Sequence, residues 1–134
     1  MDELLHVEGL GKSYGDIHAI DGVSLSVHAG EIVGLLGPNG AGKTTTIDII
    51  VGLRRKDEGR LAYFGDVREA ITPADKERIG VQLQHTVFFP ELTVREILLF
   101  LGALYKKHLP LPQLLACFSL EEQQHKQSKP VKRK

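Results

Sequence analysis

The residues best suited to chemistry form one octapeptide, Gly37-Pro38-Asn39-Gly40-Ala41-Gly42-Lys43-Thr44. Its glycines allow the backbone to turn tightly, so that successive N–H groups can point inward and hold phosphate oxygens. Lys43 can reach the β- and γ-phosphates of a nucleotide, and the hydroxyl of Thr44 is a hard oxygen ligand suited to Mg²⁺. The octapeptide therefore predicts a nucleotide phosphate site rather than a glycine-rich surface turn. Residues 37–44 are called the phosphate loop below.

The segments on both sides of the phosphate loop have the composition of a strand and a helix. Residues 31–36 are apolar almost throughout, which predicts a strand covered on both faces of a parallel sheet. After the loop, apolar residues at positions 47, 50 and 51 predict a helix that ends near Gly52. A helix that begins near Gly42 would place its positive N-terminal dipole beside the bound phosphates.

The remaining elements are predicted from alternation, turn residues and capping. Apolar and polar residues alternate at 6–8 and 23–27, which indicates half-buried, antiparallel strands. Thr93 and Glu96 form a capping-box signature that should open a helix running to about Lys107. Further strands are expected at 60–64 and 79–84, and short helices at 73–78 and 113–120.

Composition limits the class of protein. The chain has 134 residues, 42% of them hydrophobic, which is enough for one ordinary core. Its 17 basic and 17 acidic residues balance, which argues against a nucleic-acid binder that works by bulk charge. Cys117 is the single cysteine, so neither a disulfide framework nor a cysteine metal cluster is expected. With an acidic N-terminus and no long apolar run, the chain is predicted to be soluble and cytoplasmic.

The order of the motifs resembles the ATP-binding subunit of an ABC transporter, in particular the drug-export branch. Residues 37–45 match the family's Walker A motif, which assigns Gly37, Pro38, Asn39, Gly40, Ala41, Gly42, Lys43, Thr44 and Thr45 to ATP binding. Lys12-Ser13-Tyr14-Gly15 looks like the A-loop, whose aromatic side chain stacks on adenine. The alternative for Tyr14 is an ordinary half-exposed aromatic residue.

Residues 79–84 look like the strand that leads into the family's Q-loop, whose glutamine lies near Mg²⁺ and the γ-phosphate. Gln84, at the end of the strand, matches the register of the family, and Gln82 is the competing position. By resemblance, Thr44 and Gln84 are the expected Mg²⁺ ligands. The alternative for Gln84 is a polar residue at a solvated strand end.

Residues 88–96 resemble the segment that receives the coupling helix of the membrane domain. The adjacent Phe88 and Phe89 could equally be buried under the neighbouring helix. Lys56 stands where many relatives carry proline, a small departure at a turn.

The resemblance implies an α/β fold, a P-loop NTPase (RecA-like) core that carries an N-terminal antiparallel β subdomain. Residues 1–84 would form this core, 85–120 the start of a helical subdomain, and 121–134 a basic, loosely ordered tail. The family continues into a Leu-Ser-Gly-Gly-Gln signature, a Walker B motif with its catalytic glutamate, and a switch histidine. None of these is in the sequence, so no catalytic residue is assigned and the domain is expected to be incomplete.

As function, the resemblance implies an ATPase that couples ATP binding and hydrolysis to export. It would pair with a second ATP-binding subunit and with a membrane-spanning transporter subunit at the inner face of the membrane. The alternative is a non-hydrolysing nucleotide-binding module or a nonfunctional fragment without turnover. A small P-loop kinase or GTPase is a third possibility, and the absence of an Asn-Lys-x-Asp motif argues against the GTPase.

Overall fold

The computed structural model describes residues 2–82 and 89–127. The chain falls into two compact units, Met1–Val81 and Gln82–Lys134. The elements are β1 (Glu3–Tyr14), β2 (Ile17–His28), α1 (Lys43–Ile50), β3 (Glu58–Tyr63), β4 (Asp66–Arg68), α2 (Pro73–Lys76), α3 (Val94–Gly102) and α4 (Leu111–Cys117), followed by a 3-10 turn at Glu121–Gln123. None of the helices that the structure describes is both long and apolar enough to cross a membrane.

The first unit is built on a four-stranded sheet in the order β2-β1-β3-β4, with every pair antiparallel. Val7 lies at its centre, paired with Leu25 on one side and with Leu61 on the other. A two-residue turn of Gly15 and Asp16 joins β1 to β2, and Gly15 has the positive φ of +57° that such turns favour. The antiparallel strands predicted from alternating residues are confirmed.

Helix α1 packs on this sheet and completes a small core. The buried apolar side chains of this core are those of Val7, Leu10, Ile20, Ile49, Leu61 and Tyr63. The hydroxyl of Tyr63 on β3 donates a 2.6 Å hydrogen bond to the carbonyl of Ile50, at the end of α1. Burial, and to a lesser degree the charge of Asp75, raises the pKa of Tyr63 to about 12. This bond fixes α1, and with it the end of the phosphate loop, to the sheet.

The strand predicted at 31–36 is not formed, and the described part of the strand predicted at 79–84 shows no regular structure. Residues 31–36 have no regular secondary structure, and Ile32 and Leu36 are 99% and 92% exposed. A strand in a parallel sheet depends on neighbours for its backbone hydrogen bonds and on cover for both faces, and no described strand lies beside this segment. Residues 79–82 are likewise irregular, and residues 83–84 lie outside the described ranges.

In the second unit the predicted capping box is confirmed at the start of α3. Thr93 Oγ1 accepts a hydrogen bond from the N–H of Glu96 at 3.3 Å, and Glu96 Oε2 accepts one from the N–H of Thr93 at 2.8 Å. The helix ends at Gly102, before the predicted Lys107. None of its residues is buried, so further turns would gain no packing to offset their loss of conformational entropy.

The first part of the predicted loose tail is ordered. The carbonyls of Gln124 and Lys126 accept hydrogen bonds from the N–H groups of Arg95 and Val94 at 2.9 and 3.1 Å. Those N–H groups belong to the first turn of α3, where a helix has no internal partner for them. Residues 121–127 therefore complete the start of α3, and residues 128–134 lie outside the described ranges.

Candidate nucleotide site

The phosphate loop is held against the sheet through Gly42. This residue precedes α1 in the left-handed conformation, with φ +78°. A Cβ atom at this position would lie 2.3 Å from the carbonyl oxygen of Ala19 on β2, so only glycine fits. The start of α1 is therefore set by direct contact with the β1–β2 hairpin.

The first turn of α1 supplies free backbone donors. Gly42 has no side chain to cap the helix, and its carbonyl accepts the N–H of Thr46 at 2.8 Å. In the described part of the chain, no carbonyl accepts a hydrogen bond from the N–H of Lys43, Thr44 or Thr45. Unpaired N–H groups at the positive end of a helix form the environment that phosphate oxygens prefer. The loop thus fits a nucleotide phosphate.

The ammonium group of Lys43 adds a positive charge to the phosphate loop. Its Nζ donates hydrogen bonds to the carbonyls of Gly37 and Pro38, at 2.7 and 2.6 Å. The N–H of Ala41 also donates to the carbonyl of Pro38, at 3.2 Å, which closes the turn of the loop. Phosphate oxygens would be stronger partners for the ammonium than neutral carbonyls, because both groups would then be charged.

Three consecutive threonines at the start of α1 have different surroundings. Thr44 is exposed, Thr45 is half-buried and Thr46 is 2% exposed within the core side of the helix. Of the three residues, Thr44 is the most accessible to an ion. Among the described residues, no cluster of three or more His, Cys, Asp or Glu side chains could hold a metal. An Mg²⁺ ion here would take its other ligands from phosphate and water, as Mg²⁺ usually does.

The described structure does not test the glutamine predicted near this ion. Gln84 lies outside the described residues, and Gln82 is exposed in an irregular segment. The role of Gln84 stays a prediction.

Tyr14 lies at the end of β1, where the hairpin turns into β2. Its side chain is 44% exposed, which leaves ring surface available to a ligand. Lys12 Nζ lies 5.5 Å and Arg54 Cζ 5.9 Å from the ring centroid. Tyr14 therefore lies in the same unit as the phosphate loop, with two cations around its ring.

Two acidic residues that sequence reasoning missed hold these cations. Asp57 accepts hydrogen bonds from Lys12 Nζ at 2.6 Å and from the N–H of Ser13 at 2.9 Å, and these bonds lower the pKa of Asp57. Asp48 on α1 accepts a 2.8 Å bond from Arg54 Nε. Asp48 and Arg54 are six positions apart, which is not a helical neighbour spacing, so no sequence signal pointed to the pair.

Known proteins match both the sequence and the fold. The model of the ABC transporter family matches residues 20–133. The linearmycin resistance ATP-binding protein LnrL of Bacillus subtilis is 42% identical over 102 residues, which cover 76% of this chain and 33% of that protein. The Nod factor export ATP-binding protein I of Ralstonia nicotianae is 42% identical over 99 residues, 74% of this chain and 31% of that protein. The chain spans about a third of the length of these curated relatives.

Solved structures of ABC transporter cassettes match the fold of this chain. A nucleotide-free ATP-binding cassette from an ABC transporter superposes with a TM-score of 0.76 at 29% identity, covering 93% of this chain and 57% of that one. A structure of an ABC transporter's ATP-binding cassette in its ADP conformation gives a TM-score of 0.73 at 29% identity, covering 95% of this chain and 58% of that one. The resemblance drawn from the motifs and the P-loop fold class are thereby confirmed. The chain belongs to the ABC transporter family and has its P-loop fold.

Proposed function

We propose that this chain binds MgATP through its phosphate loop and Tyr14, as part of an ABC transporter ATPase that couples ATP binding and hydrolysis to export. The observation that carries the proposal is the start of α1. There the N–H groups of Lys43, Thr44 and Thr45 lack backbone partners beside the Lys43 ammonium, at a helix end fixed to β2.

In this proposal each residue has a separate task. The backbone of residues 37–45 holds the phosphates, and Lys43 exchanges its two carbonyl partners for phosphate oxygens. Tyr14 stacks on the adenine ring. Thr44 and Gln84 supply oxygens to Mg²⁺, which when bound offsets the negative charge of the β- and γ-phosphates.

The assembly belongs to the proposal as well. The chain would work at the cytoplasmic face of a membrane, with a membrane-spanning subunit and a second ATP-binding subunit, and not with nucleic acid. Export is favoured over import because the matched relatives include the Nod factor export protein and the linearmycin resistance protein. A matched relative named for xylose and arabinose import, from Sulfolobus acidocaldarius, is 38% identical over 96 residues.

A non-hydrolysing module is the second candidate. The sequence has no Walker B glutamate, and residues 31–36 lack a neighbouring strand among the described elements. We expect this chain alone to show no ATP turnover above background, because each missing electrostatic or positioning group typically costs about 10²-fold or more. Phosphate release that is robust and disappears in Lys43→Ala would mean that a residue of this chain acts as the base.

Calorimetric titration with MgATP tests the binding itself. The unchanged chain should bind, and Lys43→Ala should abolish binding because it removes the full positive charge from the loop. Lys76→Ala is the matched control, since Lys76 is an exposed lysine on α2 of the same unit. Circular dichroism confirms that the variants are folded. Equal affinity in Lys43→Ala and the unchanged chain would refute the assignment.

A further inference from the structure

A chain of polar contacts joins Tyr14 to the helix that follows the phosphate loop. One terminal nitrogen of Arg54 donates a 3.0 Å hydrogen bond to the Tyr14 hydroxyl. Nε of the same guanidinium donates a 2.8 Å bond to Asp48 Oδ2, and Asp48 lies in α1. Arg54 thus contacts, through one planar group, both the aromatic residue and the phosphate-loop helix.

The backbone at Arg54 is held by hydrogen bonds to Asp48. The N–H of Arg54 and that of Leu53 both donate to the carbonyl of Asp48, at 3.1 and 2.7 Å, where the chain reverses after α1. The reversal occurs at Gly52, whose φ is +77°. The bonds to Asp48, and secondly to Tyr14, raise the pKa of the Arg54 guanidinium. A planar donor held by backbone and side chain loses little conformational freedom when it orients a partner.

Tyr14, in contrast, has few other constraints. It ends β1 next to the hairpin turn and is 44% exposed. Within the described residues, Arg54 is the hydrogen-bond partner of its hydroxyl, while the nearby Lys12 is engaged by Asp57 at 2.6 Å. The orientation of the ring therefore depends on Arg54. Stacking on a flat base depends strongly on that orientation.

We propose that Arg54 is a positioning residue for nucleotide recognition. It fixes the Tyr14 ring relative to the phosphate loop by way of Asp48 and α1, so that base binding and phosphate binding reinforce each other. This inference rests on the proposed roles of Tyr14 and Lys43. Arg54 touches Tyr14 and not the nucleotide, so its effect should disappear when the Tyr14 hydroxyl is absent.

The test compares two probes, MgATP and magnesium tripolyphosphate, which has the phosphates but no base. We expect Arg54→Ala to weaken ATP binding about three- to tenfold, the range for losing one ordering hydrogen bond, and to leave tripolyphosphate affinity unchanged. Tyr14→Phe keeps the ring and removes the acceptor, so it should have a similar effect. The double variant should bind ATP no more weakly than either single variant.

Arg60→Ala is the control, because Arg60 is a 77% exposed arginine on β3 that faces Glu8 at 3.8 Å and should change neither affinity. Arg54→Lys is the second variant if Arg54→Ala does not fold. A lysine cannot make both bonds with one planar group, so it should give the same difference between ATP and tripolyphosphate.

The outcomes separate the two proposals. An Arg54 effect that is equal for both probes, or that adds fully to Tyr14→Phe, would overturn the positioning role. Full ATP affinity in Tyr14→Ala would instead refute the proposed role of Tyr14. Tripolyphosphate binding that survives Lys43→Ala would refute the proposed phosphate site.

Discussion

At the residue scale, two of the three glycines of the phosphate loop, Gly40 and Gly42, have separable roles. Gly40 and Gly42 both have positive φ, at +84° and +78°, but a Cβ at Gly40 meets nothing within 4 Å whereas one at Gly42 meets the Ala19 carbonyl at 2.3 Å. Alanine in the left-handed region costs about 1–2 kcal/mol at either position. We expect Gly42→Ala to lose about 1–3 kcal/mol more than Gly40→Ala, because it also overpacks against β2. Urea unfolding of the two variants measures this, and equal losses would contradict the anchoring contact.

Thr44 gives a test of the metal role. Thr44→Ala removes the exposed hydroxyl, so the difference between ATP affinity with Mg²⁺ and ATP affinity with excess chelator should become smaller. Thr44→Ser keeps the hydroxyl and should preserve the difference. Calorimetric titration of both variants with ATP, once with Mg²⁺ and once with excess chelator, measures these affinities. An undiminished Mg²⁺ effect in Thr44→Ala would remove Thr44 from the proposed ligands.

The sequence predicted some residues of the candidate nucleotide site and could not predict others. The phosphate loop was predicted from its residue types and Tyr14 by the family resemblance, because each motif is a short string of residues, and both roles stay predictions. Arg54 was not identified, because its partners Tyr14 and Asp48 are brought together only by the fold. Gln84 remains a prediction outside the described residues.

At the element scale, α3 depends on its cap because none of its side chains is buried. Thr93→Ala should lower the stability of this helix by about 1 kcal/mol, since a donor of the first turn and the Glu96 carboxylate both lose a partner. Thr93→Ser keeps the hydroxyl and should retain most of the stability of the helix. Far-UV circular dichroism during thermal unfolding measures the effect. Identical melting of all three proteins would show that the cap contributes nothing.

The same cap should make α3 sensitive to acid. Hydrogen bonds from the backbone and then the side chain of Thr93 lower the pKa of Glu96 from 4.5. A carboxyl whose folded pKa is depressed stabilises the fold fully above its unfolded pKa and loses this contribution as the pH falls through the folded value. Helix signal should therefore fall below about pH 4.5, less steeply in Glu96→Gln. If the loss of helix signal with falling pH were the same in Glu96→Gln, the ionised Glu96 carboxylate would not stabilise α3.

Helices and strands could be predicted where the residues that determine them lie close together in the sequence. The cap at Thr93 and the alternation in β1 and β2 lie in consecutive residues, and both were confirmed. The strand predicted at 31–36 was wrong because apolar composition cannot supply a neighbour, and the described sheet places none beside it.

At the scale of the whole molecule, we expect the chain to be marginally stable and prone to association. The described core is small, and Ile32 and Leu36 are almost fully exposed. Large exposed apolar side chains without cover favour self-association. Sedimentation and thermal melting test this, with the chain alone and with a second chain that carries the family's signature and Walker B motifs. A sharp, monomeric transition unaffected by that addition would contradict the expectation.

Nucleotide should raise this stability. A ligand that binds only the folded state adds about 2.7 kcal/mol at a hundred times its dissociation constant. MgATP should therefore raise the melting temperature of the unchanged chain and of Lys76→Ala, but not that of Lys43→Ala. A shift of the same size in Lys43→Ala would mean that the nucleotide binds elsewhere.

The most direct test of nucleotide binding at the phosphate loop is amide hydrogen exchange measured with and without MgATP. The account predicts slower exchange in residues 37–46, where N–H groups without backbone partners would bind phosphate, and a smaller effect at residues 12–15 around Tyr14. Lys43→Ala should show neither change. Unaltered exchange in residues 37–46 at saturating MgATP, or equal protection in Lys43→Ala, would contradict the account.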